Sequence, residues 1–306
     1  MAGLDDILNS EDLVYETNED DIIVYEEDKS YDGGQSSVDD IIEFGSENET
    51  ILEPEQETPT FIESDTVEPH LAPEIISSGI YVLDRSIGGG LPAGSMVYIS
   101  ATTKSMSEVF LYQFTQSRKT YYFTTERRPE YVKKDIMNMN FDVSEISFVD
   151  VYGSYYLSPQ GDMIDNVGNE YVDAKIIEFI EYNLSNILSE ETNGPVNIII
   201  DTFSFFLNLN VNKGMIRRLL NILYETSKET SGLTFLYGMK DSIDPRMENE
   251  ILNTCDAIFD VDLEKTGDKI LSKLSIPKIR GMTPTTEMIK FKIGEGIQID
   301  TSKDIA

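Results

Sequence analysis

From Ile75 onward the chain alternates short apolar runs with longer segments whose apolar residues fall at helical spacing. Met96–Ser100, Lys119–Thr125, Glu145–Val151, Val196–Asp201, Leu233–Gly238 and Ala257–Leu263 read as strands, several of them apolar throughout and so buried on both faces. Glu108–Gln116, Pro129 to about Asn140, Tyr171–Glu190 and Lys213–Lys228 read as helices. In the third, Ile176, Ile177, Ile180, Leu184, Ile187 and Leu188 form one face, with Asp173, Glu178 and Glu181 expected to point away. Pro129 suits a first helical turn. Tyr152–Asn169 reads as a surface connection. Lys269–Lys278 and Met288–Ile299 read as short antiparallel strands completing the sheet. The expected fold is α/β, a mostly parallel central sheet with helices on both faces, in one domain spanning 73–306.

Residues 1–72 have a different pattern. Their apolar residues are scattered among charges, with Gly33, Gly34, Pro54, Pro59 and Pro69 between them. Burial there cannot offset chain entropy, so disorder is expected. Asp-Asp-Ile-aliphatic occurs three times, ending in Ile7-Leu8, Ile22-Ile23 and Ile41-Ile42. This is either chance in an Asp- and Ile-rich segment or a set of weak docking motifs that fold on a protein partner.

Charge sharpens the division. Net charge is −32 over 306 residues. Residues 1–70 hold 23 acids and one Lys, and the remainder holds 33 acids and 23 bases. No basic face in bulk is available, which disfavours nucleic acid as a partner. The single Cys255 excludes an internal disulfide and suits a reducing compartment. No apolar run is long enough to span a bilayer, and Asp5 and Asp6 stand where a signal peptide is basic, so the cytoplasm is expected. The only histidine, His70, excludes a His-based triad or a multi-histidine zinc site.

The most specific stretch is Gly79–Phe114. Leu83, Asp84, Gly88, Gly89, Gly90, Pro92, Gly94 and Ser95 precede the strand Met96–Ser100, a polar loop and a helix. This leader resembles that of KaiC/RadA-type domains of the RecA superfamily, and the resemblance runs from about Glu74 to Ile299. It implies a RecA-like P-loop fold. The resemblance places Ala101, Lys104 and Met106 on the three glycines of the family's phosphate loop, Ser107 on its lysine and Glu108 on its magnesium-binding Ser/Thr. The loop Ala101-Thr102-Thr103-Lys104-Ser105-Met106-Ser107-Glu108 contains no glycine. Glycine is needed where backbone amides close around phosphate, and Met106 is expected to obstruct that space. Glu108 at the helix start would replace a phosphate anion and repel a real one. Ordinary ATP binding is therefore expected to be lost, unless Lys104 reaches phosphate from its earlier position.

Asp201 ends an apolar strand in the Walker B manner, and Asp201-Thr202 follows the family pattern; a magnesium role for Asp201 is implied only if a nucleotide binds. Glu126 begins the family's catalytic Glu-Glu pair and is a candidate general base if the protein is active, but Arg127 takes the second place. Lys278 and Arg280 match a family Lys-x-Arg-Gly that reaches a neighbouring subunit, which implies self-association and a salt bridge to the neighbour's Glu108; a plain surface turn is the alternative. The expected function is a non-catalytic interaction, signalling or assembly adaptor without a cofactor, as inactivated archaeal members of this superfamily look to be; the archaellum accessory ATPase is a related protein. The alternatives are an ATPase or autokinase using ATP and Mg²⁺ through an atypical loop, and a DNA recombination mediator.

Overall fold

The computed structural model describes residues 73–299, except 166, 191–193, 243, 267–268, 286–287 and 295. The acidic segment and its three Asp-Asp-Ile-aliphatic motifs lie outside the described residues.

A nine-stranded sheet organises the chain. Its parallel part contains β3 (Ser95–Ala101), β4 (Thr120–Thr124), β5 (Ile146–Asp150), β6 (Asn197–Asp201), β7 (Leu233–Met239) and β8 (Ala257–Thr266). β9 (Lys269–Ile279), β10 (Ile289–Gly294) and β11 (Gly296–Ile299) extend it as an antiparallel meander. The order is β11-β10-β9-β8-β3-β7-β6-β4-β5, so β3 is central. A two-stranded ribbon, β1 (Ile75–Ile76) with β2 (Leu91–Pro92), precedes it.

Strand side chains alternate between faces, and the two cores follow this period of two. Val97, Ile99, Tyr122, Ile199, Phe235 and Tyr237 face one helical layer, made by α2 (Glu108–Phe114) and α3 (Pro129–Asn138). Tyr98, Tyr121, Phe123, Ile198, Ile200 and Leu236 face the other, made by α5 (Glu170–Ser189), α7 (Lys213–Thr230) and α8 (Pro245–Thr254). The expected sheet, covered on both faces, is the one observed. Phe114 of α2 stacks on Phe235 of β7 with ring centroids 4.1 Å apart, so α2 is fixed directly over the central strands.

The leader's residues have structural work. Asp84, buried in α1 (Tyr81–Ser86), accepts hydrogen bonds from Ser77 Oγ, Ser78 N and Ser78 Oγ, at 2.6, 3.0 and 2.6 Å. Gly90 has φ +142°, and a Cβ there would lie 2.1 Å from the Ile76 carbonyl oxygen, so only glycine lets the ribbon close.

Three local expectations change. The stretch expected to be a loop from Tyr152 begins as a helix, α4 (Val151–Tyr156), because Asp150 caps it by accepting from Gly153 N at 2.7 Å. Asp173 does not face away from α5: it is buried, accepting from Tyr155 Oη at 2.5 Å and from Asn210 N at 2.6 Å, while Leu188 is exposed. Helix α8 was not anticipated, although Asp244 and Pro245 form an N-cap and first-turn pair. The short α6 (Ser204–Leu207) follows β6.

Candidate functional site

The carboxyl ends of β3, β4, β6 and β7 meet below α2. Ala101 pairs with Met239, Asp201 with both Tyr237 and Thr124. Tyr122, Asp201 and Tyr237 occupy the same alternating face, the one that α2 covers, and their polar ends converge under the loop.

Ser107 is fully buried at the start of α2. Its hydroxyl lies 3.0 Å from Tyr237 Oη and 2.6 Å from Ser105 Oγ, and Ser105 Oγ donates to the Thr102 carbonyl at 2.6 Å. Hydroxyls of the protein itself therefore satisfy one another at the position the resemblance gives to lysine. Met106 does not fill this space. It takes φ +48°, is 55 % exposed, and lines a groove with Lys104 and Ser105. The buried start of α2 is lined instead by Ser105, Ser107 and Tyr237.

A second network lies beside the first. Tyr122 Oη donates to Asp201 Oδ2 at 2.8 Å. Arg127 Nη2 donates to Tyr112 Oη at 3.0 Å and stands 3.7 Å from Asp201 Oδ2; Arg127 Nη1 bonds Asp135 at 2.8 Å. Asp201 thus bonds Tyr122 and faces Arg127, rather than the hydroxyls of the loop. Thr202 N donates to Thr125 Oγ1 at 2.7 Å, and Thr202 Oγ1 donates to Glu126 Oε1 at 3.1 Å. The Asp201–Thr202 peptide bond is cis. Glu126 is exposed and tethered at the strand end, while Arg127 turns inward.

Electrostatics follow from burial. Burial pushes the Asp201 carboxyl from 3.8 to about 6; the Tyr122 hydrogen bond and Arg127 oppose the rise, and Glu126 and Glu108 add to it. Burial also pushes Tyr112 up to about 12 and raises Tyr122 and Tyr237, so all three phenols stay neutral at ordinary pH. Burial works against the Arg127 charge, but Tyr112 and Asp201 outweigh it and its pKa rises. One inward cation thus balances Asp201 where Glu108 and Glu126 also bear on the carboxylate. Of the loop residues, Thr103 and Lys104 are exposed and Ala101 is buried as the last residue of β3.

Lys278 and Arg280 lie apart from this cluster. Lys278 Nζ donates to the carbonyls of Leu252 and Asn253 at 2.6 and 3.2 Å. Arg280 Nη2 donates to Asn253 O at 2.9 Å, and Nη1 to Asp256 Oδ1 at 3.2 Å. Both cations cap the carboxyl end of α8, where the helix dipole favours them. Buried Asp256 also accepts from Met96 N at 3.0 Å and Lys228 Nζ at 2.6 Å, joining the starts of β3 and β8 to α7. Among the described residues no group of three or more His, Cys, Asp or Glu could hold a metal, and no helix is long and apolar enough to cross a membrane.

The fold is shared with solved archaeal proteins. A KaiC-like protein from Pyrococcus horikoshii OT3 superposes with a TM-score of 0.56 at 18 % identity, covering 74 % of this chain and 99 % of its own. The flagellar accessory protein FlaH from Methanocaldococcus jannaschii gives 0.58 at 13 % identity, covering 72 % and 96 %. These likenesses establish the RecA-like architecture. No curated protein matches the sequence significantly. Residues 75–306 match the model of DUF7125, a family of unknown function, and the chain belongs to that family.

Proposed function

We propose that this protein is a non-catalytic adaptor, a RecA/KaiC-like domain whose nucleotide site is degenerate and whose role is interaction in signalling or assembly. The observation that carries this reading is the buried hydroxyl chain at the start of α2, where Ser107 bonds both Ser105 and Tyr237. A phosphate at that position would meet neutral hydroxyls already paired and the carboxylate of Glu108, with no lysine. The likeness to a flagellar accessory protein favours an assembly role. Self-association through Lys278 and Arg280 remains part of the proposal, with the intrachain bonds leaving other N–H donors of the Arg280 guanidinium for a neighbour.

The partner-binding elements proposed are the three aliphatic pairs Ile7-Leu8, Ile22-Ile23 and Ile41-Ile42. Each supplies an apolar anchor beside two carboxylates. Ordering one such segment costs roughly 2–5 kcal/mol of the gross interaction, so each alone is weak. Three on one chain gain through effective concentration. In affinity capture from cells of the source organism, changing one pair to Ser should cost little, and changing all three should abolish capture by the full-length protein. Equal capture by the triple variant and the wild type would remove these motifs from the proposal.

A further inference from the structure

We infer that the outer face of α5 is a self-association surface, on which a second copy of this chain docks antiparallel about a two-fold axis. Helix α5 turns Ile176, Ile177, Ile180, Leu184 and Ile187 into the core and its opposite side to solvent. On that outer side Tyr171 is 63 % exposed and Tyr182 is 44 % exposed. A lone exposed aromatic needs no explanation, but these two belong to a pattern.

At 3.6 residues per turn, Tyr171, Lys175, Glu178, Tyr182 and Ser185 lie within about 80° of arc and form one stripe along the helix. Lys175 and Glu178 meet on it at 2.6 Å, and Lys175 Nζ stands 5.8 Å from the centre of the Tyr171 ring. The stripe therefore carries no net charge. Its flank is neutralised as well, because Arg218 Nη2 of α7 stands 2.9 Å from Glu181.

The order of residues along the stripe decides the occupant. Tyr171, Lys175, Glu178 and Tyr182 are spaced by four, three and four residues. The spacing reads the same in both directions, while the charge changes sign about the midpoint. An isologous interface brings residue i of one copy to residue j of the other, and j to i. With the axis between Ile176 and Ile177, Tyr171 meets Tyr182 of the second copy and Lys175 meets its Glu178. Each pair then occurs twice. Parallel pairing in register would instead set lysine on lysine and glutamate on glutamate, so the charges specify the antiparallel arrangement. Two copies of a chain of net charge −32 repel, but at physiological ionic strength charges beyond about 8 Å are screened, and the stripe itself is neutral. The contact is a single helix face, so a weak, reversible dimer is expected. It uses no residue of the loop 101–108, nor Lys278 or Arg280, and does not rest on the adaptor reading.

Sedimentation equilibrium of the full-length protein over a hundredfold concentration range tests the surface. The wild type should dimerise as concentration rises. Lys175→Glu alone and Glu178→Lys alone should each weaken this at least tenfold, since each sets two pairs of like charge across the axis. Lys133→Glu, the same change of charge on the exposed side of α3, should not. An equimolar mixture of Lys175→Glu protein with Glu178→Lys protein should associate like the wild type, because every pair in the mixed dimer is again of opposite sign. Tyr171→Ser with Tyr182→Ser should also weaken association at least tenfold. These positions lie on the outer side of the helix, and Lys and Glu have nearly equal helix propensity, so the charge variants should keep the wild-type far-ultraviolet circular dichroism. A strict monomer, equal loss from Lys133→Glu, or a mixture no tighter than its components would overturn the surface. Association unchanged in both charge variants would also overturn it, and would leave the contact through Lys278 and Arg280 standing.

Discussion

Replacing Arg127 by Glu should lower the stability of the full chain by about 3 kcal/mol and create no ATP turnover. The substitution recreates the paired glutamates of the KaiC/RadA-type domains that the sequence resembles, yet here it removes a cation bonded to Tyr112 and Asp135. Arg127 bonds Tyr112 and Asp135 and faces Asp201 across 3.7 Å. Stripping one partner from a buried ion pair costs about 3–5 kcal/mol. The lower end applies because the Arg127 side chain is 38 % exposed while that of Asp201 is 8 % exposed. The new carboxylate would also stand among Asp201, Glu126 and Glu108. Urea unfolding at neutral pH measures the loss. Arg127→Lys should fall between the two, since an ammonium keeps the charge but cannot span Tyr112 and Asp135 together. A glutamate variant as stable as the wild type would show that the network is incidental.

Asp201→Asn should have the opposite effect at neutral pH. Burial raises the Asp201 carboxyl from 3.8 to about 6, so between those values the folded state binds the proton more tightly than the unfolded state. The wild type is therefore favoured below about pH 4 and loses this contribution as pH rises through about 6. Roughly two pH units correspond to about 3 kcal/mol as an upper bound. Asparagine can still accept from Tyr122 and carries no charge to desolvate. At pH 7.5 the variant should be more stable, by up to about 3 kcal/mol, and near pH 4 the two should converge. Comparing wild type with variant cancels the titration of the chain's many other acids. Greater loss in the variant at pH 7.5 than at pH 4 would show instead that Asp201 acts as a stabilising ion-pair member.

The sheet was readable from the chain because its strands are apolar and its helices periodic. Val196–Asp201 and Leu233–Gly238 needed no tertiary information. The leader was readable because glycines with positive φ and a buried Asp84 tolerate few substitutes. The filling of the site was not readable in the same way. Tyr122 and Tyr237 look like ordinary core aromatics, and only the strand register aims their hydroxyls at Asp201 and Ser107. The alternation of Tyr122 with Phe123, and of Tyr237 with Leu236, carried a usable signal about which face each occupies. Arg127 was visible as a departure, but its inward turn toward Tyr112 depends on α2 and α3 packing on one face. Asp173 shows the same difficulty: helical periodicity assigns an acid to solvent, and a tyrosine from another element makes its burial tolerable. Lys278 and Arg280 matched a motif in sequence, while their helix-capping contacts required α8, which the reading of the chain did not include.

The central claim is that the phosphate position beneath α2 is closed by the protein's own groups. Isothermal calorimetry of Mg-ATP with the full-length protein tests it most directly, alongside Ser107→Lys and Lys104→Ala. No saturable heat is expected for the wild type, and none for Ser107→Lys, because Ser105, Tyr237 and Glu108 still occupy the site and the loop still lacks glycine. Micromolar Mg-ATP binding by the wild type, abolished by Lys104→Ala, would contradict the account and assign the loop to a working nucleotide site.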